Sequence, residues 1–215
     1  AIIFDKKGSI IAISQKELQQ YYPQSGWVEH DASAIFNDQL EAFDNVMSET
    51  GIDASEIASI GITNQRETTV VWDKNTGEPI HKAIVWLDKR TTPICDQLKA
   101  DGLETYVKEN TGLVIDSYFS GTKLKWILDE VPGARKRAEA GELLFGTIDS
   151  WLIFKLTQGK NHVTDHSNAS RTMIYNIKTL SWDEKMLQAM GIPSSMLPHV
   201  QESSSDFGSL DYKGI

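Results

Sequence analysis

Apolar residues along this chain recur in two rhythms, and each change of rhythm marks an element. Residues 1–4 (AIIF) and 9–14 (SIIAIS) are short β-prone runs around Asp5-Lys6-Lys7-Gly8, a turn sequence ending in glycine. They predict a β-hairpin. From Ile35 the rhythm becomes helical. Ile35, Phe36, Leu40, Phe43, Val46 and Met47 share one helix face up to Gly51, with Asp31 as the cap. Ile57, Ala58, Ile60 and Ile62 predict a short buried strand, and residues 68–72 (TTVVW) a second one. A hairpin turn is expected over 73–79, and a further strand over 83–87 that ends at Asp88-Lys89-Arg90. Thr92-Pro93 opens a helix that stops by Asp101-Gly102. A loop with apolar and aromatic inserts follows over 111–123, then a helix over 123–130 closed by Pro132-Gly133. Residues 142–148 read as a buried strand, and Asp149-Ser150 as the cap of a helix running to Gly159. Ser181-Trp182-Asp183-Glu184 reads as a capping box for a last helix closed by Gly191. A hairpin followed by strands alternating with helices gives an α/β fold.

Between the two central strands lie Asn64-Gln65-Arg66-Glu67, where the chain leaves the core. In open α/β sheets ligands bind at strand ends of this kind. Arg66 carries only donors and Glu67 only acceptors, so together they can hold a hydroxyl that both gives and accepts a hydrogen bond. The bland alternative is a solvated turn with an incidental ion pair. Trp86 also lies near a strand terminus, as core or as a platform for a small ligand's carbon skeleton.

Composition narrows the partners. The chain has 215 residues, with 21 basic against 30 acidic side chains and a net charge of −9, which argues against nucleic acid or an anionic membrane. Its length suits one large or two small domains. No apolar run approaches the roughly 20 residues of a membrane helix. The single Cys95 leaves no internal disulfide and fits a reducing cytosol. No signal peptide is visible, and the first strand begins at residue 1 without lead-in, as if cut there.

Other candidate chemistry is thin. His30 stands beside two carboxylates, but no second histidine lies near it. His162 and His166 have an i, i+4 spacing in a segment expected to be extended, without an evident third ligand. No metal site is therefore assigned. Asn168-Ala169-Ser170 matches a glycosylation acceptor, which is idle in a cytosolic protein. Neither of the familiar glycine-rich nucleotide loops is present.

Residues 60–69 (IGITNQRETT) resemble the substrate segment of the glycerol kinases within the FGGY carbohydrate kinase family. Residues 26–31 (GWVEHD), 83–86 (AIVW), 110–116 (NTGLVID), 144–147 (LFGT) and 168–173 (NASRTM) follow in the expected order. The family's first signature is matched by Tyr118, Ser120, Lys123 and Trp126. The resemblance implies an actin-like ATPase, ribonuclease-H-like domain with a mixed sheet flanked by helices. It implies transfer of the γ-phosphoryl of ATP, with Mg2+, to glycerol, giving glycerol 3-phosphate in a cytoplasmic homo-oligomer. Carried onto this chain, Arg66, Glu67 and Tyr118 would hydrogen-bond glycerol and Trp86 would pack on its carbons. On the same resemblance residues 1–215 are the substrate-binding domain, without the family's opening phosphate-motif strand and its ATP domain. The catalytic Asp base would lie beyond Ile215, and the chain alone is expected to be inactive. Leu87-Asp88 after Trp86, where the family often has Gln, departs from the pattern at the rim. The alternatives are a related FGGY kinase for another polyol or sugar, and a polyol-binding module without catalysis.

Overall fold

The expected opening hairpin is present. Strand β1 (Ile2–Phe4) pairs antiparallel with β2 (Ile10–Ile13). Asp5 makes the turn by accepting the N–H groups of Lys7 and Ser9 at 2.8 Å. This computed structural model describes residues 1–210. Short strands β3 (Gln20–Tyr21) and β4 (Glu29–His30) lead into helix α1 (Ala32–Thr50). Asp31 caps α1 by accepting the N–H groups of Ser33 and Ala34, and Gly51 closes it in the left-handed region.

After a 3-10 turn at Ala54–Glu56 come β5 (Val70–Asp73) and β6 (Ala83–Ile84). Helices α2 (Thr92–Ala100), α3 (Glu104–Thr111), α4 (Ser120–Glu130) and α5 (Ala134–Glu139) follow. The chain continues through β7 (Leu143–Gly146), α6 (Ile148–Leu156), β8 (Val163–Asp165) and the single turn α7 (His166–Ala169). It finishes with β9 (Tyr175–Asn176), β10 (Ser181–Trp182), α8 (Glu184–Met190), a 3-10 turn at Ser194–Met196 and β11 (His199–Gln201). Strand β5 pairs antiparallel with β7, β4 lies between β3 and β6, and β8 pairs parallel with β11. The fold is thus α/β with mixed pairing, as expected. The larger core packs Val71 and Phe145 of the β5–β7 pair against Leu124, Ile127 and Leu128 of α4 and Met186 and Met190 of α8. A second cluster sets Trp72 against Trp151 and Phe154 of α6.

The structure corrects several expectations. Residues 57–62 form no strand. Among the described residues none lies alongside to complete a ladder, so Ile60 and Ile62 are 48 % and 37 % exposed. With Phe43 and Phe207 they line a cleft of about 510 Å3. The strand expected over 83–87 stops at Ile84. There Asp88 turns the chain, its carboxylate accepting the N–H groups of Val28 at 2.6 Å and Arg90 at 2.8 Å. Helix α4 begins at Ser120, three residues ahead of the expected Lys123. The cap of α8 is Asp183, which accepts the N–H of Met186 at 2.9 Å, while Ser181 belongs to β10. Asp149 sits inside the first turn of α6 rather than capping it. Its carboxylate accepts from the hydroxyl of Thr147, from that of Thr164 at 2.6 Å and from the amide of Asn64 at 3.3 Å. Burial pushes its pKa up.

Candidate functional site: Glu67, Arg171, Tyr118 and Trp86

The polar stretch between the central strands is a turn, and Glu67 adopts a left-handed backbone there with φ of 65°. Non-glycine residues seldom do so without support. The support is visible. The Ser120 hydroxyl at the start of α4 donates to the Glu67 carbonyl at 2.9 Å, and the Thr69 hydroxyl does so at 3.2 Å. The Glu67 side chain is buried, and its Oε1 accepts from Nε of Arg171 at 2.6 Å. A charge-assisted pair this short, with its carboxylate buried and its arginine side chain 28 % exposed, is among the stronger polar contacts a protein makes.

Arg171 follows α7 in a tight turn closed by its own N–H, which donates to the Asn168 carbonyl at 3.0 Å. Its guanidinium lies 5.0 Å from the ring centre of Phe119 and 5.7 Å from that of Tyr118. Tyr118 in turn leans on Trp86, with ring centres 5.2 Å apart at 55°. Both rings are half-buried. Glu67, Arg171, Tyr118 and Trp86 therefore form one connected array drawn from four distant parts of the chain.

Two buried cations hold this array from behind. Lys123 of α4 donates through Nζ to the carbonyls of Ser117, Tyr118 at 2.9 Å and Phe119 at 3.4 Å, which fixes the aromatic loop. Burial pulls its pKa down to about 7, against the charges of Asp88, Cys95 and Glu67, which pull it up. Arg90 donates through Nη2 to Asp88 and Glu29, both at 2.8 Å, and through Nε to Asp88 at 3.0 Å. Its guanidinium lies over Trp27 at 3.8 Å and Trp126 at 4.7 Å. This cluster pins the turn that carries Trp86.

Three of the four residues expected from the sequence thus meet, and Arg66 does not join them. Arg66 is exposed, and among the described residues no hydrogen bond, ion pair or ring contact holds its side chain. The partner of Glu67 is Arg171, 104 residues away, rather than its neighbour Arg66. Neither Arg171 nor Lys123 stands out in the sequence as a site residue, although both lie within segments that resemble the family. The two histidines at i, i+4 make separate contacts. His162 faces the Phe145 carbonyl at 2.8 Å through Nε2, and His166 faces the Tyr175 hydroxyl at 2.6 Å through Nδ1. Among the described residues no group of three or more His, Cys, Asp or Glu could hold a metal. None of their helices is long and apolar enough to cross a membrane. Chemically, the array offers a carboxylate acceptor, a guanidinium fork and aromatic walls, a combination that suits a small hydroxylated ligand.

The N-terminal domain model of the FGGY family of carbohydrate kinases matches residues 1–214. The chain belongs to the FGGY family of carbohydrate kinases. Among relatives of this FGGY domain, the glycerol kinase of Alkaliphilus metalliredigens is 62% identical over 213 residues, 99% of this chain and 43% of its own length. The glycerol kinase of Clostridium perfringens is 63% identical over 209 residues, 97% of this chain and 42% of its own length. The chain thus spans about two fifths of the curated relatives it matches. A solved structure of Plasmodium falciparum glycerol kinase with ADP superposes with a TM-score of 0.94 at 34% identity, over 99% of this chain and 42% of that one. A gluconate kinase from Lactobacillus acidophilus, at 23% identity and a TM-score of 0.88 over 99% of this chain and 41% of that one, shares the fold.

Proposed function

We propose that this chain is the substrate-side part of an ATP-dependent glycerol kinase, which transfers the γ-phosphoryl of ATP to glycerol and yields glycerol 3-phosphate. The observation that carries the reading is identity of 62% to a glycerol kinase across 99% of the chain. The site agrees with it. Glycerol is a small triol, and it needs mixed donors and acceptors beside one apolar wall. Glu67 supplies an acceptor, Tyr118 a hydroxyl, and Trp86 with Tyr118 the wall. Arg66, exposed and without a partner among the described residues, would engage the triol from the rim. Phosphoryl transfer of this kind rests on positioning and on neutralising charge. ATP supplies the phosphoryl group and Mg2+ would neutralise its charge. Among the described residues no group of three or more His, Cys, Asp or Glu gathers to hold a metal by protein ligands alone.

A cytoplasmic location belongs to the same proposal, supported by the free, buried Cys95. So does assembly as a homo-oligomer, which sedimentation of the complete protein tests. The fold alone does not select the substrate, since a gluconate kinase shares it. The deciding experiment assays the complete gene product with ATP, Mg2+ and a panel of glycerol, other polyols, xylulose and gluconate. Preference for glycerol is the expected result. Preference for another acceptor makes this a different FGGY kinase, and binding of glycerol without turnover makes it a binding module. In the same assay Arg66→Ala should lower kcat/KM for glycerol by about tenfold, the loss of a hydrogen bond from a charged group. Its stability should stay within about 0.5 kcal/mol, because Arg66 is exposed.

A further inference from the structure

Glu67 is the only residue of the array that is both charged and fully shielded, and a buried carboxylate works as a hydroxyl acceptor only if its direction is fixed. Its backbone is already committed to a strained left-handed turn. Its side chain is committed by one contact among the described residues, Nε of Arg171 to Oε1 at 2.6 Å. No hydrogen bond from the described residues reaches Oε2, which leaves that oxygen available.

Arg171 is itself held from several sides. The next residue, Thr172, is buried, its hydroxyl donates to the Ala169 carbonyl at 2.7 Å, and its carbonyl accepts the N–H of Gly121 at 2.7 Å. Met173, fully buried, takes a left-handed backbone with φ of 66°. Two of the strained non-glycine residues are thus Glu67, one partner of the ion pair, and Met173, two residues beyond the other. Strain maintained around a buried polar contact is commonest where a site is preorganised. The guanidinium also faces the rings of Phe119 and Tyr118, so turning it away would cost those contacts as well.

We infer that Arg171 is a positioning residue of the acceptor site. It clamps one oxygen of Glu67 so that the other faces an incoming hydroxyl, and its lateral position locks the Tyr118 ring. This inference rests on the proposed polyol reading for the nature of the ligand. The coupling between Arg171 and Glu67 stands on geometry alone.

The test uses the complete protein and whichever acceptor the wild type prefers. Should that acceptor prove not to be glycerol, the functional reading falls, while the Arg171 inference is still read on the preferred acceptor. Arg171→Ala should raise the acceptor KM by about 30-fold. Its KM for ATP at saturating acceptor should change by less than about twofold, a split that a merely structural contact would not give. In a double-mutant cycle, Arg171→Ala should add little to the loss already caused by Glu67→Gln. Free guanidinium ion should restore part of the lost activity in Arg171→Ala and none in Glu67→Gln. Arg171→Lys keeps the charge but cannot place a donor where Nε lies, so it should fall between wild type and Arg171→Ala, and it serves as the readout should the alanine variant not fold. Additive losses in the cycle, equal effects on both substrates, or an unchanged acceptor KM would each overturn the inference.

Discussion

Lys123 is fully buried in α4, and its Nζ donates to the backbone carbonyl of Tyr118 at 2.9 Å. The contact joins a core ammonium to the loop that carries a site ring, and it makes stability depend on pH in a definite direction. In the folded chain burial lowers the pKa of Lys123 from the ordinary 10.5 to about 7, while the unfolded chain keeps the ordinary value. Between those two values the unfolded state therefore binds the extra proton, and stability rises with pH. The largest slope one such group can give is about 1.4 kcal/mol per pH unit. Asp88, Cys95, Glu67 and Lys89 set the charge around it, the first three raising and the last lowering its pKa. Lys123→Met should flatten the rise across this window, read as urea unfolding free energy at stepped pH. A slope identical to wild type would mean that Lys123 keeps its proton throughout.

Trp86→Ala separates the site from the core. Because Trp86 is half-buried and its recorded ring contact is Tyr118, the stability lost should be modest, about 1 kcal/mol for the aromatic pair. Acceptor KM should rise strongly while KM for ATP holds. Trp86→Phe, which keeps a ring against Tyr118, should recover most of the difference. Normal acceptor kinetics in a folded Trp86→Ala would reduce the residue to packing.

Arg90→Met should be among the most damaging single changes behind the site. It leaves the carboxylates of Asp88 and Glu29 buried without their shared cation, a loss of about 3–5 kcal/mol. Arg90→Lys should rescue little, because Nε and Nη2 together grip both oxygens of Asp88. Equilibrium unfolding measures both, and a loss below about 1 kcal/mol for Arg90→Met would show that water reaches the cluster.

What could be read from the sequence follows a physical division. The hairpin, α1 with its Asp31 cap, α2, β7 and α6 announce themselves because local patterns and caps specify them. Helices α3 and α5 do not, since α3 buries only Val107 and Thr111 and α5 only Ala134 and Ala138, too few for a visible stripe. Residues 57–62 carry strand-like composition, but a strand needs a partner, and partners are a tertiary fact. The same limit governs the site. Glu67 and Trp86 stand out as residue types at strand ends, and Tyr118 only through the family resemblance. The ion pair does not, because nothing local tells Glu67 to ignore Arg66 beside it and take an arginine 104 residues away.

That long-range pairing can be strained from a distance through a glycine. A Cβ at Gly121 would stand 2.8 Å from the Thr172 carbonyl oxygen and 2.9 Å from Cγ2 of Ile174. The first of these is backbone, which cannot rotate aside, and Gly121 also donates its N–H to that same oxygen at 2.7 Å. Gly121→Ala should therefore push the start of α4 away from residues 172–174 and cost about 1–3 kcal/mol of stability. Thr172 is bonded to Arg171, so the displacement should reach the Glu67 pair and raise acceptor KM. Gly133→Ala supplies the contrast. Nothing lies within 4 Å of its Cβ, but its φ of +78° strains any other residue, so it should lose stability of a similar order and leave the acceptor site alone. Unfolding free energies and acceptor KM values for the two variants, measured side by side, decide the matter. If both raise KM equally, the site responds to stability in general and the α4–Thr172 contact has no special part in placing Arg171.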